Sequence, residues 1–127
     1  MENEYISVIK IRNILMVTFP AEPDDSTISV LQEKVLTAME KHDPKGVILD
    51  ISMVETLDSF FAKTIVETAR MVALMGGRTV ITGMHPSVAI TTTQLGLDFG
   101  GVLAALNADR ALDMLMGNTN ITSLRET

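Results

Sequence analysis

A short stretch around Ser59 contains the residues best suited to chemistry. A run rich in branched apolar residues, 47–51, is followed by polar residues, and a helical pattern then begins at Ser59, directly after Asp58. A hydroxyl in the first turn of a helix lies near unsatisfied backbone N–H groups, which suit a phosphate. Serine is also one of the commonest N-cap residues. The position alone therefore predicts a helix cap and leaves room for a functional role.

Carboxylates accompany this serine. Asp50, Glu55 and Asp58 all fall at the carboxyl end of the third predicted strand, the end at which open α/β sheets usually place their sites. The position favours a functional loop. It does not choose between a substrate, a metal ion and a protein partner.

The rest of the sequence offers little support for catalysis at this serine. A serine hydrolase needs a base and an orienting acid near its nucleophile, but Ser59 has no GxSxG setting and His42 and His85 are the only histidines. Neither histidine belongs to a cluster with metal-ligand spacing. No glycine-rich phosphate loop occurs, because Gly76-Gly77 follows a helix and precedes a strand. An enzymatic role and a metal site are therefore weakly supported, we expect no cofactor, and the remaining option is that Ser59 is modified and not catalytic.

Phosphorylation of Ser59 would change the surface of the protein more than its core. A phosphate adds about −1.5 to −2 charges at the helix start, beside Asp58 and Glu55. The helix N-terminus offsets part of this charge, by ~0.3–1 kcal/mol at an exposed site. The expected result is a binding switch that needs no change of fold.

Composition limits the other possibilities. The chain of 127 residues has a net charge of −6 and scattered basic residues, which argues against nucleic acid as a ligand. No apolar run approaches the roughly 18 residues of a membrane span, and the acidic start 1–4 does not look like a signal peptide. The absence of cysteine excludes disulfides and fits a cytoplasmic protein. We expect one domain over 1–117 and a polar tail over 118–127.

Hydrophobic periodicity predicts nine elements in the order ββαβαβαβα, with a hairpin turn at Asn13. The predicted strands are 6–12, 14–19, 47–51, 78–83 and 102–104, and the predicted helices are 26–42, 59–75, 87–95 and 108–116. Asp24, Asp25 or Ser26 could cap the first helix. The buried stripes of the first two helices are predicted to contain Ile28, Leu31, Val35 and Met39, and Phe61, Ile65, Ala69 and Val72. This order indicates an α/β fold with a mixed, mostly parallel sheet of about five strands and four helices.

The same residues resemble a known family. The element order and the Asp-Ser pair at the start of the second helix are similar to the STAS domains of bacterial anti-sigma factor antagonists. Within that family, three blocks resemble the RsbS group of stressosome scaffold proteins: 51–63, then 74–83, then 86–97. The resemblance covers nearly the whole chain.

The resemblance implies a scaffold that is not an enzyme. Proteins of this group assemble with RsbR-like paralogues, which carry a sensor domain, into a large cage that holds an RsbT-like serine/threonine kinase. Under stress the kinase phosphorylates the scaffold and leaves, and an RsbX-like phosphatase resets it. Ser59 matches the phosphate acceptor. The surface that the kinase contacts is expected to include Glu55, Thr56, Asp58, Phe60 and Lys63.

Some features leave alternatives open. Many antagonists have a small residue and glycine after the acceptor, whereas Phe60 and Phe61 follow it here, which favours the scaffold group. A stand-alone anti-sigma factor antagonist and a ligand-binding or hydrolytic α/β domain remain the alternatives. The apolar loop 95–99 could contribute to self-association. Ser26 lies near the position of a second phosphorylated residue in RsbR proteins, but it is interpreted as a cap first.

Overall fold

The nine elements follow one another in the predicted order. The computed structural model describes residues 6–96, 99 and 102–117. The strands are β1 (Ser7–Ile11), β2 (Ile14–Thr18), β3 (Gly46–Asp50), β4 (Arg78–Thr82) and β5 (Leu103–Ala105), and the helices are α1 (Asp25–His42), α2 (Ser59–Leu74), α3 (Pro86–Gln94) and α4 (Ala108–Met116). The α/β fold class is confirmed, with element ends that differ from prediction by at most one residue. The predicted tail 118–127, the acidic start and most of the loop 97–101 lie outside the described residues.

The sheet is mixed, with strand order β1-β2-β3-β4-β5. β1 pairs with β2 antiparallel, and each later pairing is parallel. The hairpin turns at Arg12 and Asn13, whose φ angles of 51° and 67° match the right-handed twist of the strands that they join. β3 is the central strand, so its carboxyl end opens at the middle of one edge of the sheet.

Helices cover both faces of the sheet. α1 and α2 pack on one face, where the predicted α1 stripe of Ile28, Leu31, Val35 and Met39 is buried. α4 covers the other face over a smaller cluster, which consists of Ile14, Ile48, Val80, Ala111 and Leu115. Residues 47–49 of β3 are therefore fully buried, as their continuous apolar character predicts.

The buried side of α2 is more polar than predicted. Ala69 is only half-buried, whereas Thr64 and Thr68 are buried. The hydroxyl of Thr64 donates to the carbonyl of Phe60 at 2.9 Å, and that of Thr68 donates to the carbonyl of Thr64 at 2.7 Å. Because each hydroxyl is satisfied by its own helix, a threonine can occupy a buried position there.

Candidate functional site

The start of α2 is capped by Asp58. Its backbone is extended, with φ −96° and ψ 179°, and its Oδ1 atom accepts a hydrogen bond from the Phe61 N–H at 2.8 Å. Ser59 is the first helical residue. The predicted capping role of Ser59 is therefore wrong, because the carboxylate one position earlier reaches the free N–H group.

Ser59 is left exposed by this arrangement. No hydrogen bond of its hydroxyl is found among the described residues. Phe61 is only 2% exposed, and its ring centroid lies 5.1 Å from that of Phe19 in the core. The cap and the buried Phe61 ring thus hold the helix start, while the serine hydroxyl takes no part in folding.

The loop between β3 and α2 is anchored by its own hydrogen bonds. Asp50 Oδ1 accepts from the Ser52 N–H at 3.0 Å. The Glu55 N–H donates to the carbonyl of Ala21 at 3.3 Å, which ties the loop to the segment before α1. Val54 is 1% exposed, so the middle of the loop also reaches the core. The acid predicted at position 50 has a structural role in this turn.

A second loop, between β4 and α3, supports the first. His85 Nε2 lies 2.6 Å from the carbonyl oxygen of Ser52, and since a carbonyl only accepts, Nε2 is the donor. Gly83 has φ +80°, and a Cβ added there would lie 2.7 Å from Cβ of Ser52. The two loops therefore pack backbone to backbone. Sequence reasoning missed His85 and Gly83, and their only signal was their place between β4 and α3.

The predicted partner-binding residues lie on two sides of the helix start. Glu55, Thr56, Asp58, Phe60 and Lys63 are all exposed. Thr56 and Asp58 line a shallow depression next to the segment before α1. Ser59 and Lys63 line a separate groove along α2 that ends at Gly96. These positions fit the predicted contact surface, whose role in binding stays a prediction.

The start of α1 repeats the capping pattern of α2. Asp24 is the cap, and its Oδ1 accepts from the Thr27 N–H at 2.7 Å and from the Ser26 hydroxyl at 3.1 Å. Hydrogen bonds from the side chain and backbone of Thr27 and from Ser26 hold the pKa of Asp24 below its usual value. The first choice of a capping role for Ser26 is therefore wrong, since Ser26 is a donor within the first turn.

Within the described part of the chain, no three histidine or acidic residues come together in a way that could hold a metal ion. Over the same residues, none of the helices is both long and apolar enough to cross a bilayer.

The whole architecture has counterparts among known proteins. The model of the STAS domain family matches residues 5–105. RsbRA of Bacillus subtilis, a co-antagonist of RsbT, is 26% identical over 116 residues, which are 90% of this chain and 42% of that protein. The chain thus spans less than half the length of this curated relative.

Solved structures show the same fold. A serine-to-glutamate variant of RsbS from Moorella thermoacetica is 33% identical, with a TM-score of 0.76 over 88% of this chain and 95% of that one. A chain of the stressosome is also 33% identical, with a TM-score of 0.75 over 87% and 96%. Phosphorylated SpoIIAA of Bacillus has a TM-score of 0.63 over 87% and 98%, and at 17% identity it shows the fold alone.

The family match covers most of the chain, and the RsbS variant and the stressosome chain match 88% and 87% of it. The chain therefore belongs to the STAS domain family and is similar to RsbS and to the stressosome.

Proposed function

We propose that this chain is a non-enzymatic scaffold of a stressosome-like complex in the cytoplasm. Unphosphorylated, it holds an RsbT-like serine/threonine kinase together with RsbR-like paralogues. Phosphorylation of Ser59 releases the kinase to act in a stress response, and an RsbX-like phosphatase resets the serine. The observation that carries this proposal is the exposed Ser59 hydroxyl, which lies at the start of α2 without serving the fold.

The helix start is suited to hold a phosphate without refolding. The first N–H groups and the dipole of α2 favour negative charge at this position. Asp58 already caps the helix, so a modified Ser59 does not lose a hydrogen bond that α2 needs. The expected consequence is a local change in charge on an unchanged backbone.

Exposed apolar side chains favour a protein as the ligand of this region. Met53 lies in the loop before the acceptor, Phe60 directly follows the acceptor, and Ile90 and Leu95 belong to α3 and its end, with exposed fractions of 40% to 61%. Protein interfaces combine apolar and aromatic contacts with a charged rim. The similarity to RsbRA and to the stressosome chain supports STAS paralogues as partners in the assembly.

A kinase assay tests the switch. The chain is incubated with an RsbT-like kinase and ATP, and the phosphate is located by mass spectrometry. We expect modification of Ser59, none in Ser59→Ala, and full modification in Ser52→Ala, which removes another exposed serine of the same loop. Kinase should elute with the unphosphorylated complex and separate from it after phosphorylation. A phosphate at Ser52 or Ser26, or a kinase that stays bound, would contradict the proposal.

Particle size separates the scaffold from a stand-alone antagonist. Mixed with an RsbR-like paralogue, a scaffold forms a megadalton-scale particle, roughly two orders of magnitude above the 13.8 kDa chain. A chain that stays monomeric, or that binds only one kinase, would be an antagonist.

A further inference from the structure

Three side chains follow one another at four-residue intervals on the exposed flank of α2. Ser59, Lys63 and Glu67 line the same groove, which ends at Gly96. Lys63 Nζ lies 4.0 Å from Glu67 Oε2, and the two side chains are 74% and 43% exposed. Lys63 therefore has an acid one turn after it and the proposed phosphate acceptor one turn before it, because residues four apart lie one above the other on a helix.

The pair of Lys63 with Glu67 is weak for identifiable reasons. Its 4.0 Å separation is long for a charged hydrogen bond, and both groups are largely solvated. A lysine that precedes its acid by four residues has the less favourable order, and a cation in the first half of a helix opposes the dipole. Little holds Lys63 in its present position.

A phosphate on Ser59 would give Lys63 a partner in the favourable order and with a larger charge. The anion would precede Lys63 by four residues, which is the favourable order, and would carry up to two charges instead of one. Asp58 lines a different depression from the groove that holds Lys63, and its negative charge disfavours a phosphate on that side of Ser59. Helix α3, which ends at the far side of the groove, has no charged side chain to compete.

Resting on the proposed phosphorylation, we infer that Lys63 is the counter-ion of phosphorylated Ser59 and exchanges Glu67 for the phosphate. The phosphate then lies along α2, over the groove, and Asp58 keeps its bond to the Phe61 N–H. Glu67 loses its partner one turn further on. A protein that binds this flank of α2 therefore meets a changed charge at three positions, Ser59, Lys63 and Glu67, and not only at the phosphate.

The test measures the ionisation of the phosphate itself. Phosphoserine is inserted at position 59 during translation, and its second pKa, about 6 in solution, is followed by phosphorus NMR at low salt. A nearby cation stabilises the dianion, so Lys63→Gln should raise this pKa by about 0.2–0.4 pH units, the strength of one exposed helical pair. Lys63→Arg should preserve it. Glu67→Gln should lower it, because Lys63 no longer has a competing acid.

Arg70→Gln is the matched control. It removes one positive charge from the same groove, two turns beyond Lys63, and should leave the pKa of the phosphate unchanged. The difference between Lys63→Gln and Arg70→Gln should shrink in 0.5 M salt, where exposed charges are screened. Equal effects of Lys63→Gln and Arg70→Gln, or no effect of either, would overturn the inference.

This result is independent of the kinase, because the phosphate is installed during translation. If the kinase does not modify Ser59, the proposed function is contradicted, but the measured effect of Lys63 on the pKa of the phosphate remains valid. If the pKa of the phosphate does not depend on Lys63, the counter-ion inference is wrong, and the outcome of the kinase assay is unaffected.

Discussion

Replacing the cap of α2 separates structural from functional roles at adjacent positions. Asp58→Ala removes the acceptor of the 2.8 Å bond from the Phe61 N–H, whereas Ser59→Ala removes a hydroxyl for which no bond is seen among the described residues. The two changes are one residue apart, both at exposed positions. Only the first should affect folding.

The expected loss for Asp58→Ala is about 1 kcal/mol of unfolding free energy, within the ~0.5–2 kcal/mol of such caps. A value near the lower limit of that range is not expected, because the capped N–H belongs to Phe61, which is 2% exposed. For a chain of this size, 1 kcal/mol corresponds to roughly 4 °C in Tm. Ser59→Ala should stay within about 0.5 kcal/mol of the parent, as exposed substitutions usually do.

Urea unfolding followed by circular dichroism measures these differences. Asp58→Asn is the control, because asparagine caps about as well as aspartate and carries no charge. It should recover most of the stability that Asp58→Ala loses. If Ser59→Ala were the costly change and Asp58→Ala the neutral one, the serine would be the cap and the assignment made from the hydrogen bond would be refuted.

Three further predictions concern the segments around the site. Gly83→Ala should destabilise the fold by more than about 1 kcal/mol in urea unfolding, because alanine disfavours φ +80° and its Cβ would meet Ser52 at 2.7 Å; a neutral result would mean that the two loops are not in contact. His85→Ala should lower the free energy of unfolding by about 0.5–1.5 kcal/mol and speed hydrogen exchange in the Ser52 loop. Unchanged exchange would contradict the hydrogen bond to the Ser52 carbonyl. Because the pKa of Asp24 is lowered in the folded state, its ionised carboxylate contributes to the free energy of unfolding. This contribution is fully present above the unfolded pKa of 3.8 and is lost as the pH falls through the lower folded pKa. Asp24→Asn should lose less stability than the parent over that acid range, as measured by urea unfolding from pH 5 to pH 2.

Periodicity and composition predicted most of the fold because they report burial directly. The α1 stripe and the continuous run of β3 are buried as expected, since apolar spacing determines which face packs on the sheet. Thr64 and Thr68 escaped prediction because their hydroxyls are satisfied inside the helix, a contact that a hydropathy pattern does not contain.

The site was predicted in part. The position of Ser59 after the central strand follows from the order of the elements. Which of two neighbouring residues caps α2 depends on a side-chain hydrogen bond, and sequence reasoning chose the wrong one. His85 and Gly83 are about 30 residues away from Ser52, and only the parallel pairing of β3 with β4 brings them to it.

The close packing of Gly83 and His85 on Ser52 bears on how the acceptor would be recognised. The loop that leads to Ser59 packs at Ser52 against Gly83 and His85, and this contact exists only in the folded chain. A free peptide copying residues 50–63 would have the same acceptor but no stable helix start, since helices of this length are marginal alone. Under the proposed function, such a peptide should be a poor kinase substrate, because it lacks the folded surface on which the kinase would recognise Ser59. Selectivity would then change through substitutions at position 83 or 85, which leave every residue next to the serine intact.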